Sequence, residues 1–344
     1  MTRASRPTVH EVGEFGFIER LVALIDPPRP DTVIGAGEDD AAVLRLPDGS
    51  LQLATLDALV DGVHFILGDI APRELGYRLA AVNLSDIAAM GGRPTHGIAG
   101  MVAPADLDLD MALEIVEGLS EGLHRSGADL VGGNVAGGRQ LTIDLALLGE
   151  TDESRLLTRA GAQPGDAVLV TGSLGGAAAA RALWEAELSG RAPASVDADL
   201  RSAARSRLIG PVPRLDVGWL LGPAGASAAI DVSDGLAADI GHLCERSSVG
   251  VLLDAEMMPI DPSAQAIAGA LGADALHWAL EGGEDYEIVF TAPRPLAGEL
   301  CRRVSIETGV PITEIGRVVA SPERRIRFAG GIQSELAGGW RHFN

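Results

Sequence analysis

PRELGYRLAAVNLSDIAAMGG, residues 72–92, is the stretch on which the fold turns. A helical pattern runs from Pro72 to Met90, with proline at its first position and Gly91-Gly92 ending it. Leu75, Leu79, Val82, position 86 and Met90 follow one another at helical spacing and draw an apolar stripe. Position 86 in that stripe is an aspartate, with Asn83 one turn back on the same side. A strand candidate follows at Gly97–Val102, and a second helix spans about Asp108 to Ser126. Helices alternating with strands make this an α/β or α+β protein.

Working outward, DDAAVLRL and SLQLATLDALV read as strands joined by the turn Pro47-Asp48-Gly49. The first dozen residues read as loose, and Phe15 to Ile25 as a short helix stopped by Pro27-Pro28. After ADLVGGN comes the strand LTIDLALLGE, and TDESRLLTRAGAQPGD reads as a connector. The domain boundary is therefore placed near residue 150, dividing the chain into 1–150 and 151–344. The second half repeats the mixed pattern. DAVLVTG is a strand, Ala177 to Leu188 a helix and Arg191–Leu200 a polar break. AAIDVSDGL runs from strand to turn to a helix reaching Arg246, and VGVLLD, DYEIVFTA and ITEIGRVV are later strands.

Composition narrows the chemistry. In 344 residues, 27 basic side chains oppose 48 acidic ones for a formal charge of -21, and every basic residue is arginine. A chain without lysine has no Gly-Lys-Ser/Thr phosphate loop, no kinase strand lysine and no Schiff base. The acidity argues against nucleic acid as a partner. No apolar run is long enough for a membrane span, and the polar start lacks a signal-peptide core. Cys244 and Cys301, the only cysteines, have no metal spacing and read as reduced thiols of a cytoplasmic protein.

Aspartates gather where ligands would. Asp39-Asp40 stands beside a glycine turn, Asp57 at a strand end, and Asp231 and Asp234 in IDVSDG. Asp86 on an apolar stripe is either a salt-bridged core acid or part of a ligand or metal site. Asp234-Gly235 before a helix also reads as a capping aspartate. Several carboxylates without a zinc motif favour Mg²⁺, which joins carboxylates to substrate phosphates. Gly172-Ser173-Leu174-Gly175-Gly176 is not GxGxxG and reads as an ordinary strand–turn–helix. His64, in DGVHF, either packs at a strand end or contacts substrate. Glu284 and Asp285, in GGEDYEIVF, either cap a turn or bind a cationic group. Trp340 is either a core aromatic or a stacking platform.

In order along the chain stand GEFGFIERL, DDAAVL, LDALVDGVHF, AVNLSDIAAMGGRP, LVGGN, LLTRAGAQPGD, VTGSLGG, IDVSDGL and GGEDYEIVF. The set resembles the thiamine-monophosphate kinases, members of the aminoimidazole-ribonucleotide-synthetase-like superfamily. That resemblance implies an N-terminal ATP-binding α/β domain, a C-terminal α+β domain and a homodimer formed through N-terminal strands. It also implies phosphorylation of thiamine monophosphate by ATP with several Mg²⁺ ions and no general base. By position, Asp40, Asp57, Asp86 and Asp231 match the family's metal-binding aspartates, and Asp234 matches a further metal contact. Gly133, Arg159 and Ser233 fall on positions associated with ATP, and His64, Glu284 and Trp340 on positions associated with thiamine phosphate.

Three departures stand out. Asn134 replaces the acid of the family's Gly-Gly-Asp, which implies weaker occupancy of one metal site. Leu56 replaces a threonine, leaving its main-chain carbonyl as the ligand, with Thr55 beside it to compensate. Gly37-Glu38-Asp39-Asp40-Ala41 is one residue longer than the family's Gly-Asp-Asp-Ala. These departures admit two alternatives, a superfamily enzyme acting on another phosphate acceptor and a catalytically silent binder of nucleotide or thiamine phosphate.

Overall fold

A computed structural model describes residues 7–340. Helix α1 (Val9–Val22) starts earlier than its hydrophobic pattern suggests, because Thr8 and Glu11 form a reciprocal capping box. It also stops short of Ile25, and none of its side chains is buried. Residues 7–12 are thus ordered by a polar cap, a signal that apolar periodicity does not carry; the start of the stretch read as loose lies outside the described residues.

Among the described residues, the first half builds a six-stranded sheet from β1 (Thr32–Ile34), β2 (Ala42–Arg45), β3 (Leu51–Val60), β4 (Arg93–Ala103), β5 (Asp129–Gly137) and β6 (Thr142–Thr151), in the order β1-β2-β3-β6-β4-β5. Alternation along β3 and β6 sends Leu51, Leu53, Leu59, Ile143, Leu145 and Leu147 to one face, where all are buried. That face packs against α2 (Pro72–Ala89) and α3 (Leu109–Arg125). Those two helices lie close enough that a Cβ on Gly76 would stand 1.9 Å from the Ile115 carbonyl oxygen. The opposite face carries Leu56, Ala146 and Ile98 in one register row and Ala58, Asp144, Gly100 and Asn134 in the next. Leu56 is 61% exposed and Ile98 52%.

The second half builds a seven-stranded sheet in the order β13-β12-β9-β11-β7-β10-β8. Its strands are β7 (Ala167–Thr171), β8 (Ala228–Asp231), β9 (Gly250–Asp254), β10 (Ile288–Ala292), β11 (Ile312–Val319), β12 (Arg324–Arg327) and β13 (Gln333–Glu335). Strand β10 lies between β7 and β8 and is buried along its whole length, covered on both faces rather than alternating. Helix α4 (Gly176–Leu188) follows β7, α5 (Ala198–Ile209) emerges from the end of the stretch read as a break, and α7 (Leu236–Ser247) follows β8. Asp197 caps α5, accepting the Leu200 N–H at 2.9 Å.

Helix α6 (Leu215–Ala224) ties the halves together. A Cβ on Gly218 would stand 1.8 Å from the Ala88 carbonyl oxygen, so only glycine permits this approach to α2. One residue on, the Trp219 ring lies between two guanidiniums, Arg93 at 4.0 Å and Arg155 at 4.2 Å. Helix α2 therefore has the first sheet and α3 on one side and the second half of the chain on the other, which buries it nearly all round. The stripe carrying Asp86 is one part of that burial, not a single core-facing edge.

Candidate active site between the two sheets

The site forms where α2 meets the end of β8. Asp231 is the last residue of β8 and is 2% exposed, Asp86 lies in the last turn of α2, and Asp40 immediately precedes Ala41 and β2. One oxygen from each of these three carboxylates lies within 4.8 Å of the others. Residues from both halves of the sequence thus meet at one point. Thr55 Oγ1 donates to Asp86 Oδ2, and Ser85 Oγ donates to Asp231 Oδ2 at 2.6 Å. The adjacent Asn83, fully buried, accepts the Asp57 N–H at 2.9 Å. Asp57 is inside β3 rather than at its end, and its register partner Leu145 puts it on the α2 side of the sheet.

Electrostatics mark this cluster as incomplete. Burial first, then the neighbouring charges of Asp57, Asp231 and Asp40, holds the Asp86 carboxyl well above the usual carboxylate range. Asp231 is raised in the same direction by burial and then by Asp40. Asp39 is pushed up to about 7 by burial and by Asp40. Among the described residues one cation answers them: Arg159 donates through Nε to Asp40 Oδ1 at 3.2 Å and through Nη2 to the same oxygen, while its main-chain N–H reaches Asp39 Oδ2 at 3.0 Å. Asp40 Oδ2 is buried without a hydrogen-bond partner. An orphaned carboxylate oxygen in a nest of acids fits a hard divalent cation, so the residues present suit Mg²⁺.

The remaining residues divide. Thr55 joins the cluster through Asp86, and Arg159 through Asp40. Leu56 points to the open face because strand alternation turns it away from Thr55 and Asp57. Asn134 and Gly133 lie on the edge strand β5, and Asn134 shares the open-face row of Gly100 and Asp144. Ser233 and Asp234 follow β8 directly. The cap of α7 is Gly235, without a side-chain bond, while Asp239 accepts the N–H groups of Asp234 and Gly235 at 3.2 and 3.0 Å. The capping role read for Asp234 therefore belongs to an acid one turn inside the helix.

The glycine run between β7 and α4 holds no open anion site. Asp285 Oδ2 accepts the Gly175 N–H at 2.7 Å, supplying the helix start with its own carboxylate. His64 Nδ1 accepts the Val60 N–H at 3.1 Å, which sets the Nε2–H tautomer. Glu284 hydrogen-bonds through its N–H to the Ser233 carbonyl oxygen at 2.7 Å, and two arginines, Arg78 and Arg181, hold its side chain. Trp340 is 45% exposed rather than packed in a core, and its main-chain N–H donates to the Asp234 carbonyl oxygen at 2.8 Å. Ser85, Arg78 and Arg181 are the site residues that pattern reading misses. Ser85 stood next to Asp86 in the quoted helix, whereas no local signal marks either arginine.

Comparison with known proteins gives the family. Residues 38–151 match the AIR synthase related protein N-terminal domain and residues 163–328 its C-terminal domain. A Mycobacterium tuberculosis thiamine-monophosphate kinase is 37% identical over 301 residues, 87% of this chain and 86% of that protein. The chain belongs to the thiamine-monophosphate kinase family. The Escherichia coli K12 thiamine-monophosphate kinase is likewise 37% identical, over 90% of this chain and 92% of its own. The solved complex of AaThiL with AMPPCP and TMP superimposes with a TM-score of 0.84 at 29% identity, covering 98% of this chain and all of that one. The two-domain fold and kinase class expected from the family motifs are thereby shown.

Proposed function

We propose that the protein transfers the γ-phosphoryl group of ATP to the phosphate of thiamine monophosphate, giving ADP and thiamine diphosphate. The observation that carries this reading is the meeting of Asp40, Asp86 and Asp231 within 4.8 Å, from the start of β2, the end of α2 and the end of β8. These three would hold Mg²⁺, with Thr55 bonded to Asp86 and Asp57 acting on it electrostatically, and Asp234 is assigned as a further contact. Bound there, Mg²⁺ supplies neutralisation and orientation of phosphate oxygens.

The chain's own residues account for the rest. The acceptor is a phosphate monoester whose oxygen is ionised near neutral pH, so no side chain need remove a proton from it. Positioning and charge balance are then the protein's work. Arg159 brings a fixed guanidinium against Asp40 and, with Ser233 and Gly133, is assigned to ATP. His64, Glu284 and Trp340 are assigned to the acceptor. The exposed indole of Trp340, fastened at Asp234, offers a flat face to the cationic thiazolium ring. Leu56 and Asn134 point to the sheet face opposite Thr55 and Asp57, so their side-chain changes remove no donor from the carboxylate cluster. That favours an active enzyme over a silent binder.

The open face with Leu56 and Ile98 is assigned to a homodimer interface. No described helix is long and apolar enough to cross a membrane, and free Cys244 and Cys301 suit a reducing compartment such as the cytoplasm. The test is a coupled ADP-release assay. Release that requires both Mg²⁺ and thiamine monophosphate supports the reading; release without the acceptor, or none at all, refutes it.

A further inference from the structure

Arg78 is a charged side chain in the middle of a buried helix. It is 2% exposed, and its partners belong to opposite halves of the molecule. Nη1 donates to the His64 carbonyl oxygen at 2.9 Å, in the segment that follows β3. Nη2 donates to Glu284 Oε1, in the turn that precedes β10. Nε is buried without a partner, so the guanidinium is not placed to satisfy itself. An apolar side chain would fill this space without the desolvation that a buried guanidinium entails.

The turn it grips is itself in an uncommon conformation. Glu284 has φ 61° and Tyr286 φ 50°, left-handed values that side-chain-bearing residues adopt only when their surroundings impose them. The impositions are visible. The Glu284 N–H is bonded to the Ser233 carbonyl oxygen at 2.7 Å and the Tyr286 N–H to that of Val232 at 2.8 Å. Arg181 Nη2 holds the second carboxylate oxygen of Glu284 at 3.1 Å and the Gly282 carbonyl at 2.9 Å. Two guanidiniums thus balance one carboxylate. Glu284 is part of a braced turn, not a free anion waiting for a cationic ring.

We propose that Arg78 is a positioning residue for the acceptor side of the site, locking the His64 segment against the Glu284 turn. With both segments braced beforehand, the acceptor does not have to order them. The inference rests on the kinase reading, and its consequence is selective: the acceptor should feel the loss of Arg78, while ATP, placed from Arg159 and Ser233, should not.

Steady-state kinetics of Arg78→Met, Arg78→Lys, Glu284→Gln and the Arg78→Met/Glu284→Gln double variant test it. Arg78→Met is expected to raise KM for thiamine monophosphate about tenfold, with KM for ATP and kcat within about twofold of the parent. Arg78→Lys, which keeps the charge, should recover part of that loss, and the double variant should be no worse than the poorer single one. Unchanged acceptor KM, equal rises in both KM values, or additive losses would overturn the proposal. If Arg78→Met does not fold, Arg78→Lys and Glu284→Gln must still show the acceptor-selective rise. If the parent protein shows no acceptor-dependent ADP release, the kinase reading falls on its own. Hydrogen exchange then decides the bracing: faster exchange at the Glu284 and Tyr286 amides in Arg78→Lys supports it, and unchanged exchange refutes it.

Discussion

Replacing Asp86 by asparagine should stabilise the metal-free protein. Oxygens of Asp40, Asp86 and Asp231 lie within 4.8 Å of one another. At that separation and an effective dielectric constant of about 20, two carboxylates repel by about 3.5 kcal/mol. Asp86 faces two such neighbours, and the nearest cation, Arg159, is engaged by Asp40. Protonation of Asp86 limits the repulsion actually borne, since burial and its acidic neighbours raise its affinity for the proton. Asparagine keeps an oxygen to accept from Thr55, so little else is lost. A net gain of about 2 kcal/mol follows, or a rise in Tm of about 3 °C for a chain of this length.

The sign with pH is fixed by the direction of the shift. Asp86 binds its proton more tightly in the folded chain, so its contribution is favourable at low pH and is lost as pH rises through its folded value. The advantage of Asp86→Asn should therefore be small near pH 4 and widen towards pH 8. Mg²⁺ reverses the ranking: it stabilises the parent by about 2.7 kcal/mol at a hundred times its Kd, and the variant by much less. Thermal melts in EDTA and in Mg²⁺, at several pH values, read all of this. A variant less stable than the parent in EDTA at pH 8, or equally stabilised by Mg²⁺, would refute the account of the cluster.

Gly218→Ala forces a Cβ to within 1.8 Å of the Ala88 carbonyl oxygen, and should cost about 3 kcal/mol in denaturant unfolding as α6 is pushed off α2. Leu56→Asp puts a charge in the exposed Leu56–Ala146–Ile98 row of the open sheet face and should halve the mass seen by light scattering if that face joins two copies; an unchanged mass places any interface elsewhere. Asp285 is pushed up to about 7 from 3.8, so its stabilising contribution fades as pH rises through about 7. Asp285→Asn should flatten the pH dependence of stability between about pH 4 and 7, by at most about 4 kcal/mol, and an unchanged slope would show that Asp285 titrates normally.

How much of this was legible depended on the range of the interaction. The α2 pattern led to Asp86, although the single stripe that singled it out is part of a helix buried nearly all round. Asp231 was readable because a strand end followed by a glycine turn is a local signature. Strand β5 was not read as one: its residues are nearly all exposed, so no alternation marks it, and its glycines resemble a connector. Helix α6 was hidden by Gly218 and by Pro223 inside it, residues that the crossing with α2 and the helix end accommodate. Arg78 was beyond reach for a simpler reason. Its partner Glu284 is 206 positions away, and nothing near position 78 announces that contact.

The absence of lysine becomes intelligible from the buried acids. Glu287, fully buried, has both oxygens closed: Arg214 binds it at 2.7 and 2.6 Å, Thr171 donates at 2.6 Å, and a second arginine, Arg207, stands at 3.4 Å. A planar fork makes that closure, which a point-like ammonium does not. Glu284 has both oxygens met by arginine as well, Arg78 on one and Arg181 on the other, each through a single nitrogen. Asp40 is treated differently. Arg159 directs both its contacts to one oxygen and leaves the other buried and unpartnered. A fold that completes two acids with paired arginines has the means to complete a third. The one it leaves half-satisfied lies against Asp86 and Asp231, where an incoming cation would supply what is missing. By that measure Asp40 differs from Glu284 and Glu287 by incomplete pairing, since burial and arginine contact are common to all three.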